Sequence, residues 1–151
     1  MQPKLFEKPA FTVVGMEMQA TPMTPEIPKL WDRFGPRMDE VPDQAEPHVS
    51  YGLMDHFDPA LGTFTYMAGV SVTQAQDLPG GMTQMEVPAN TYAVFEATLS
   101  TLGDVFGQIY NSWLPTSGYT QAAAPYFERY SETFNPQDPA SIVSIYIPVQ
   151  K

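Results

Sequence analysis

The chain has 151 residues, of which 43% are hydrophobic and 16% charged, so it has the length and the apolar content of one folded domain and is not disordered. Seven Lys and Arg against seventeen Asp and Glu give a net charge of −10, which excludes a phosphate-neutralising surface and hence direct nucleic-acid binding. Cysteine is absent, and no apolar run has the length of a signal peptide or of a membrane span; the reading is a cytoplasmic protein with no membrane partner.

In chain order, Phe11–Met18 is apolar and β-branched and predicts a strand. Prolines at 22, 25 and 28 follow. Ile27, Leu30, Trp31, Phe34 and Met38 then recur at three- and four-residue spacing and predict a helix, weakened by Gly35-Pro36. Residues 39–47 are acidic and proline-bearing and read as a loop. Strands are expected at 48–55 and 63–74, on either side of the turn Asp58-Pro59, and at 82–87 and 92–98, on either side of Pro88. Leu102, Val105, Phe106, Ile109, Tyr110 and Trp113 predict a second helix that stops at Pro115 and Gly118. Strands at 126–132 and 141–149, joined through Asp138-Pro139, complete the chain.

The order of elements repeats: each half, about 3–76 and 82–150, reads strand, helix, strand, strand. Phe57-Asp58-Pro59-Ala60 recurs as Gln137-Asp138-Pro139-Ala140, and the same offset of 80 sets Tyr66 on Tyr146 and Val14 on Val94. Hydrophobic alternation in the middle strands pairs Tyr51 with Glu128. The expected fold is α+β, with two such modules forming an antiparallel sheet, two helices and a ligand cleft between the halves.

No Gly-rich phosphate loop, nucleophile elbow or His-Glu-x-x-His motif is present, so no catalytic residue and no cofactor is predicted. His48 and His56 would lie more than about 20 Å apart along an extended strand, too far to share a metal. Pro125-Tyr126-Phe127-Glu128-Arg129-Tyr130 is the informative segment. In a strand, Tyr126, Glu128 and Tyr130 share one face and Phe127 points to the other. A carboxylate between two phenols on an apolar face needs compensation, which an organic cation would supply with help from the rings; a surface strand with Glu128 paired to a basic residue is the ordinary alternative. Tyr110 and Trp113 on the second helix, and Trp31 and Phe34 on the first, are either core packing or cavity wall, the Tyr and Trp rings carrying a polar edge that suits a cavity.

Residues 87–95 (Val-Pro-Ala-Asn-Thr-Tyr-Ala-Val-Phe), 109–119 (Ile-Tyr-Asn-Ser-Trp-Leu-Pro-Thr-Ser-Gly-Tyr) and 125–130 together resemble the GyrI-like small-molecule-binding domain, the effector-binding domain of AraC-type and MerR-type multidrug-responsive regulators. The chain departs from many members after Phe95, where Glu96-Ala97-Thr98 stands in place of His-x-Gly. The resemblance implies a duplicated strand–helix–strand–strand fold with a pocket between the halves, in which Glu128 meets the positive charge of a ligand. The regulators join this domain to a helix-turn-helix, and the expectation here is a stand-alone form or one that works through a partner regulator. The reading is therefore a non-enzymatic binding site for small organic cations, with Glu128 as counter-charge and Tyr51, Tyr66, Tyr110, Trp113, Tyr126, Tyr130, Tyr146, Trp31 and Phe34 as its walls. The rivals are a hydrolase of reactive electrophiles using Glu128 as general base, and an inhibitor of a DNA-handling enzyme acting through an acidic surface.

Overall fold

Each β-rich run read from the sequence forms a strand in the computed structural model, which describes residues 2–21 and 24–151. The strands are β1 (Lys4–Lys8), β2 (Phe11–Ala20), β3 (Ser50–Asp58), β4 (Thr63–Val72), β5 (Thr83–Val87), β6 (Asn90–Ala97), β7 (Thr120–Gln121), β8 (Tyr126–Tyr130) and β9 (Val143–Gln150). The short β7 and the exposed β1, whose Lys-Leu-Phe-Glu-Lys carries little strand signal, escape a sequence reading. The first helix, α1 (Glu26–Phe34), ends where Gly35-Pro36 begins a 3-10 stretch, Gly35–Glu40. The second starts as α2 (Leu102–Gln108), widens into a π turn at Ile109–Trp113 and ends as α3 (Leu114–Ser117), stopped by Gly118 at φ 83°.

All nine strands join one antiparallel sheet, in the order β1-β6-β9-β8-β3-β4-β2-β5 with β7 beside β9. The two ends of that order meet. Lys4 to Lys8 pair with Val94 to Asn90, and the same register resumes with Phe11 to Gly15 against Val87 to Thr83. The break falls at Pro9-Ala10 and Pro88-Ala89, where proline has no N–H to give a ladder. Two bent ribbons thus close the sheet on itself. Its inner face buries Tyr51, Leu53, Met67, Tyr92 and Phe127. Its outer face carries α1 over Val14, Ala68 and Val70, and α2 over Ala93, Phe95 and Ile145.

The duplication is real in topology but not at the offset of 80. Gly52 pairs with Glu128 at the junction of the halves. Outward from Gly52 the ladders reach Ala68 and Met16; from Glu128 they reach Ile145 and Phe95. Met16 and Phe95 each stand seven residues after their Pro-Ala corner. Gly52 is therefore the counterpart of Glu128, and Tyr51 that of Phe127. The sequence alignment is off by one residue at Tyr51 and Val14 and by three at Tyr66, and an odd slip in a strand sets an outward side chain on an inward one. Tyr66 and Val14 pack on the helix face, whereas Tyr146 and Val94 pack on the inner one.

The acidic stretch read as a loop supplies the inner face with its polar anchor. The Glu46 carboxylate accepts hydrogen bonds from Tyr51 Oη (2.6 Å), Ser71 Oγ (2.7 Å) and Arg129 Nη2 (2.9 Å). Partial burial pushes this carboxyl up, but the donors and the Arg129 charge overcome it and hold it at about 2. Glu46→Ala should lower stability by about 2–4 kcal/mol at pH 7, read by thermal or urea melts, because it strands two hydroxyls and a guanidinium. A carboxyl depressed in the folded state contributes its full stability above its ordinary value of 4.5 and loses it as pH falls toward 2, so the gap between wild type and variant should be constant from pH 7 to 5 and narrow below 4.5.

Candidate functional site

Where the two helices part over the middle of the sheet they leave a cleft of about 1310 Å³. Alternate residues of β3 and β8 make its floor: Ser50 and Met54 from one, Tyr126, Glu128 and Tyr130 from the other. Ile27, Pro28 and Trp31 of α1 form one wall, and Leu102, Phe106 and Tyr110 of the second helix the other. The lining is mostly apolar. Its charged members are Asp32, Asp104 and Glu128, with no Lys, Arg or His among the described residues that line it.

Glu128 is 6% exposed and lies at the centre of this floor. Its Oε1 accepts hydrogen bonds from Tyr130 Oη at 2.7 Å and Tyr66 Oη at 3.2 Å. Tyr66 Oη in turn accepts one from Trp31 Nε1 at 2.9 Å, which ties α1 to the floor. Trp31 also packs edge-to-face with Tyr130, with ring centroids 5.4 Å apart. Oε2 accepts no hydrogen bond from the described residues, and no cationic side chain lies within 4.0 Å of the carboxylate among them. Burial therefore prevails over the two phenol hydrogen bonds and lifts the carboxyl to about 7. Tyr66 and Tyr130 are pushed well up by burial and by the adjacent carboxylate, so both stay protonated donors.

Gly52 makes this geometry possible. A Cβ there would collide with the Tyr66 hydroxyl and stand 2.9 Å from Glu128 Oε1. The bare backbone of β3 thus opens the space that the carboxylate and the phenol share.

Of the residues proposed from sequence, Glu128, Tyr126, Tyr130, Tyr66, Tyr110 and Trp31 come together around the cleft. Four do not line it. Tyr51 and Tyr146 fall on the inner face of the sheet, against Phe127, as an odd slip in the alignment requires. Trp113 is the last residue of the π turn and packs on Phe95 and Tyr119 instead of lining the cleft. Phe34 is fully buried behind Trp31. Sequence reasoning missed Asp32 and Asp104, Met54, Phe57 and Phe64, and the loop residue Phe134. Met54 and Phe64 were within reach of the period of two, given the correct face; Asp32 and Asp104 have no such signal, since isolated acids on helices are ordinary surface residues. No group of three or more His, Asp or Glu that could hold a metal ion occurs among the described residues, and no described helix is long and apolar enough to cross a membrane.

Comparison with known proteins agrees with this architecture. A transcriptional regulator of Pseudomonas aeruginosa, BrlR, is 38% identical over 152 aligned residues, which take in 99% of this chain but 56% of the regulator; the chain thus spans about half the length of that relative. The structure of SAV2435 bound to tetraphenylphosphonium superposes with a TM-score of 0.79 at 19% identity, covering 99% of this chain and 94% of that one. A hydrolase of Listeria innocua shares the fold more loosely, with a TM-score of 0.57 at 11% identity over 99% of this chain and 92% of its own. Residues 1–150 match the GyrI-like small molecule binding domain, and the chain belongs to that family.

Proposed function

We propose that the cleft binds bulky aromatic organic cations, with Glu128 as the counter-charge. The observation that carries this reading is a buried carboxylate with no cationic partner on the floor of an aromatic cleft that also holds no basic lining residue among those described. A buried charge is tolerated where something offsets its lost hydration, and a cation entering the cleft does so while the tyrosine and tryptophan rings add cation–π attraction of roughly 0.5–2 kcal/mol. Tetraphenylphosphonium, the ligand in the SAV2435 structure, has this chemistry: one positive centre inside a shell of phenyl rings. A cleft of about 1310 Å³ has room for it. The role is sensing or sequestration of such compounds, acting alone or through a regulator partner.

A second reading, hydrolysis of a reactive electrophile with Glu128 as general base, is favoured by the carboxyl standing near 7, where a base works well at neutral pH. No second acid or base stands within hydrogen-bond reach of Oε2 among the described residues, so the binding reading is preferred. Incubating the protein with a strained epoxide should give no turnover above background; turnover that disappears in Glu128→Gln would reverse the preference.

Wild type should bind tetraphenylphosphonium with a Kd of about 1 μM, near −8 kcal/mol. Glu128→Gln keeps the shape and removes the charge, and should weaken binding by about 1.5–3 kcal/mol in a calorimetric titration. Unchanged affinity would move the charge recognition away from Glu128. The pH dependence has a definite sign. Because the empty site holds Glu128 at about 7, affinity should fall as pH drops below 7, up to about tenfold per unit, and the fall should be absent in Glu128→Gln. Stability runs the other way. The folded carboxyl lies above its ordinary 4.5, so wild type loses stability as pH rises from 4.5 through 7, and Glu128→Gln should melt higher than wild type at pH 8 but alike at pH 4.5. The 151-residue chain should also show no duplex-DNA gel shift at physiological salt, given its charge of −10.

A further inference from the structure

Two of the residues facing the cleft from α2 are glycines, Gly103 and Gly107, one turn apart on the same side of the helix. Gly107 lies in the interior of the continuous helical run from Leu102 to Ser117. Glycine there lowers helix stability relative to alanine roughly fivefold in equilibrium constant. Among the described residues, neither a close contact nor a positive φ requires it. Gly107 is not among the glycines with positive φ, which are Gly62, Gly81 and Gly118. Among the described residues, a Cβ at Gly107 would meet only Asn111 Nδ2, at 4.0 Å, an ordinary contact. This contrasts with Gly52, Gly15 and Gly69, where backbone or side-chain atoms block any Cβ. The space that Gly107 leaves empty is therefore open to the cleft, and Pro28 and Trp31 of α1 line the opposite wall.

We infer that Gly107, assisted by Gly103, sets the size limit of the cleft: the bare α2 backbone seats one ring of a bulky, non-planar, multi-ring cation whose positive centre faces Glu128. This rests on the cation-binding reading and adds the ligand shape to it. A larger residue at 107 would leave the charge site intact and exclude ligands by volume. A slim planar cation lying along the tyrosine floor would not need the α2 seat.

The test uses the full chain, two probes and two variants. Tetraphenylphosphonium is the bulky probe and N-methylquinolinium the slim one, with melts recorded beside each titration. Gly107→Ala should raise the melting temperature by about 2–4 °C, through helix propensity, and weaken tetraphenylphosphonium about three- to tenfold. Gly107→Leu should weaken it about thirtyfold or more, with less than a threefold effect on N-methylquinolinium. Should Gly107→Leu fold poorly, Gly107→Ala alone decides, because it combines a gain in stability with a loss of affinity. Undiminished tetraphenylphosphonium binding in a folded variant would overturn the size limit while leaving the role of Glu128 standing, and so would an equal loss for both cations. Failure of the wild-type protein to bind either cation would overturn the cation reading and the size limit with it.

Discussion

A carboxylate removed from water without a cation beside it is the constraint around which the cleft is arranged. The same protein holds a second glutamate that shows what a partner changes. Glu46, on the inner side of the sheet, has an arginine and two hydroxyls, and its carboxyl falls to about 2; Glu128, on the outer side, has two phenols and no cation, and its carboxyl rises to about 7. Both pay a cost of burial, but only Glu46 recovers it within the chain. The deficit at Glu128 is what a ligand can fill. Gly52, Tyr66, Tyr130 and Trp31 all serve to hold the carboxylate in that unfinished state, and Trp31 does so from α1, which links the position of the helix to the chemistry of the floor.

The closed sheet explains why the deficit sits where it does. Because the Pro-Ala corners let β1–β2 and β5–β6 bind each other, each helix follows its own half of the sheet, and the two leave the junction of the halves uncovered. That junction is β3 against β8, with Gly52 opposite Glu128. Equivalent residues meet there, so an acid at both positions would bring two carboxylates together, and like charges at short range cannot both ionise. Acid on one side and glycine on the other resolves that conflict: one half supplies the charge, and the other supplies the room for it.

The sequence discloses the order of elements, because β-branched runs, proline breaks and a helical period of three and four are local properties. It also discloses the face shared by Tyr126, Glu128 and Tyr130, since three alternate residues in one strand need no knowledge of any other strand. Relations between strands were harder. Tyr51 and Tyr146 are assigned to the cleft by offsets that are wrong by one residue and by three, and parity turns an odd error into the opposite face. Trp113 failed for a different reason: the helical stripe from Leu102 assumes a uniform period, and the π turn breaks it before Trp113 is reached. Glu46 was hidden inside a stretch whose acidity and prolines mark a loop but do not reveal that Arg129, far along the chain, would come to meet it.

The hydrogen bonds on the floor also determine what kind of selectivity the cleft can have. Trp31 donates to Tyr66, and Tyr66 and Tyr130 both donate to Glu128 Oε1, so the deepest polar hydrogens are already committed within the protein. An incoming molecule meets ring faces and edges, apolar side chains, the free oxygen of Glu128, and the hydroxyls of Ser50 and Tyr126. Sites that discriminate sharply between similar polar molecules leave donors or acceptors that only the right ligand can satisfy. Here the one buried charge, on Glu128, would make positive charge the strongest polar demand, with two neutral hydroxyls beside it and the rest area and shape. Under the proposed cation reading, such a site would accept many cations of sufficient bulk and disfavour anions through Glu128, with Asp32 and Asp104 adding negative charge to its walls. On that reading, breadth of recognition would follow from how few charged groups the floor retains, without requiring the floor itself to be flexible.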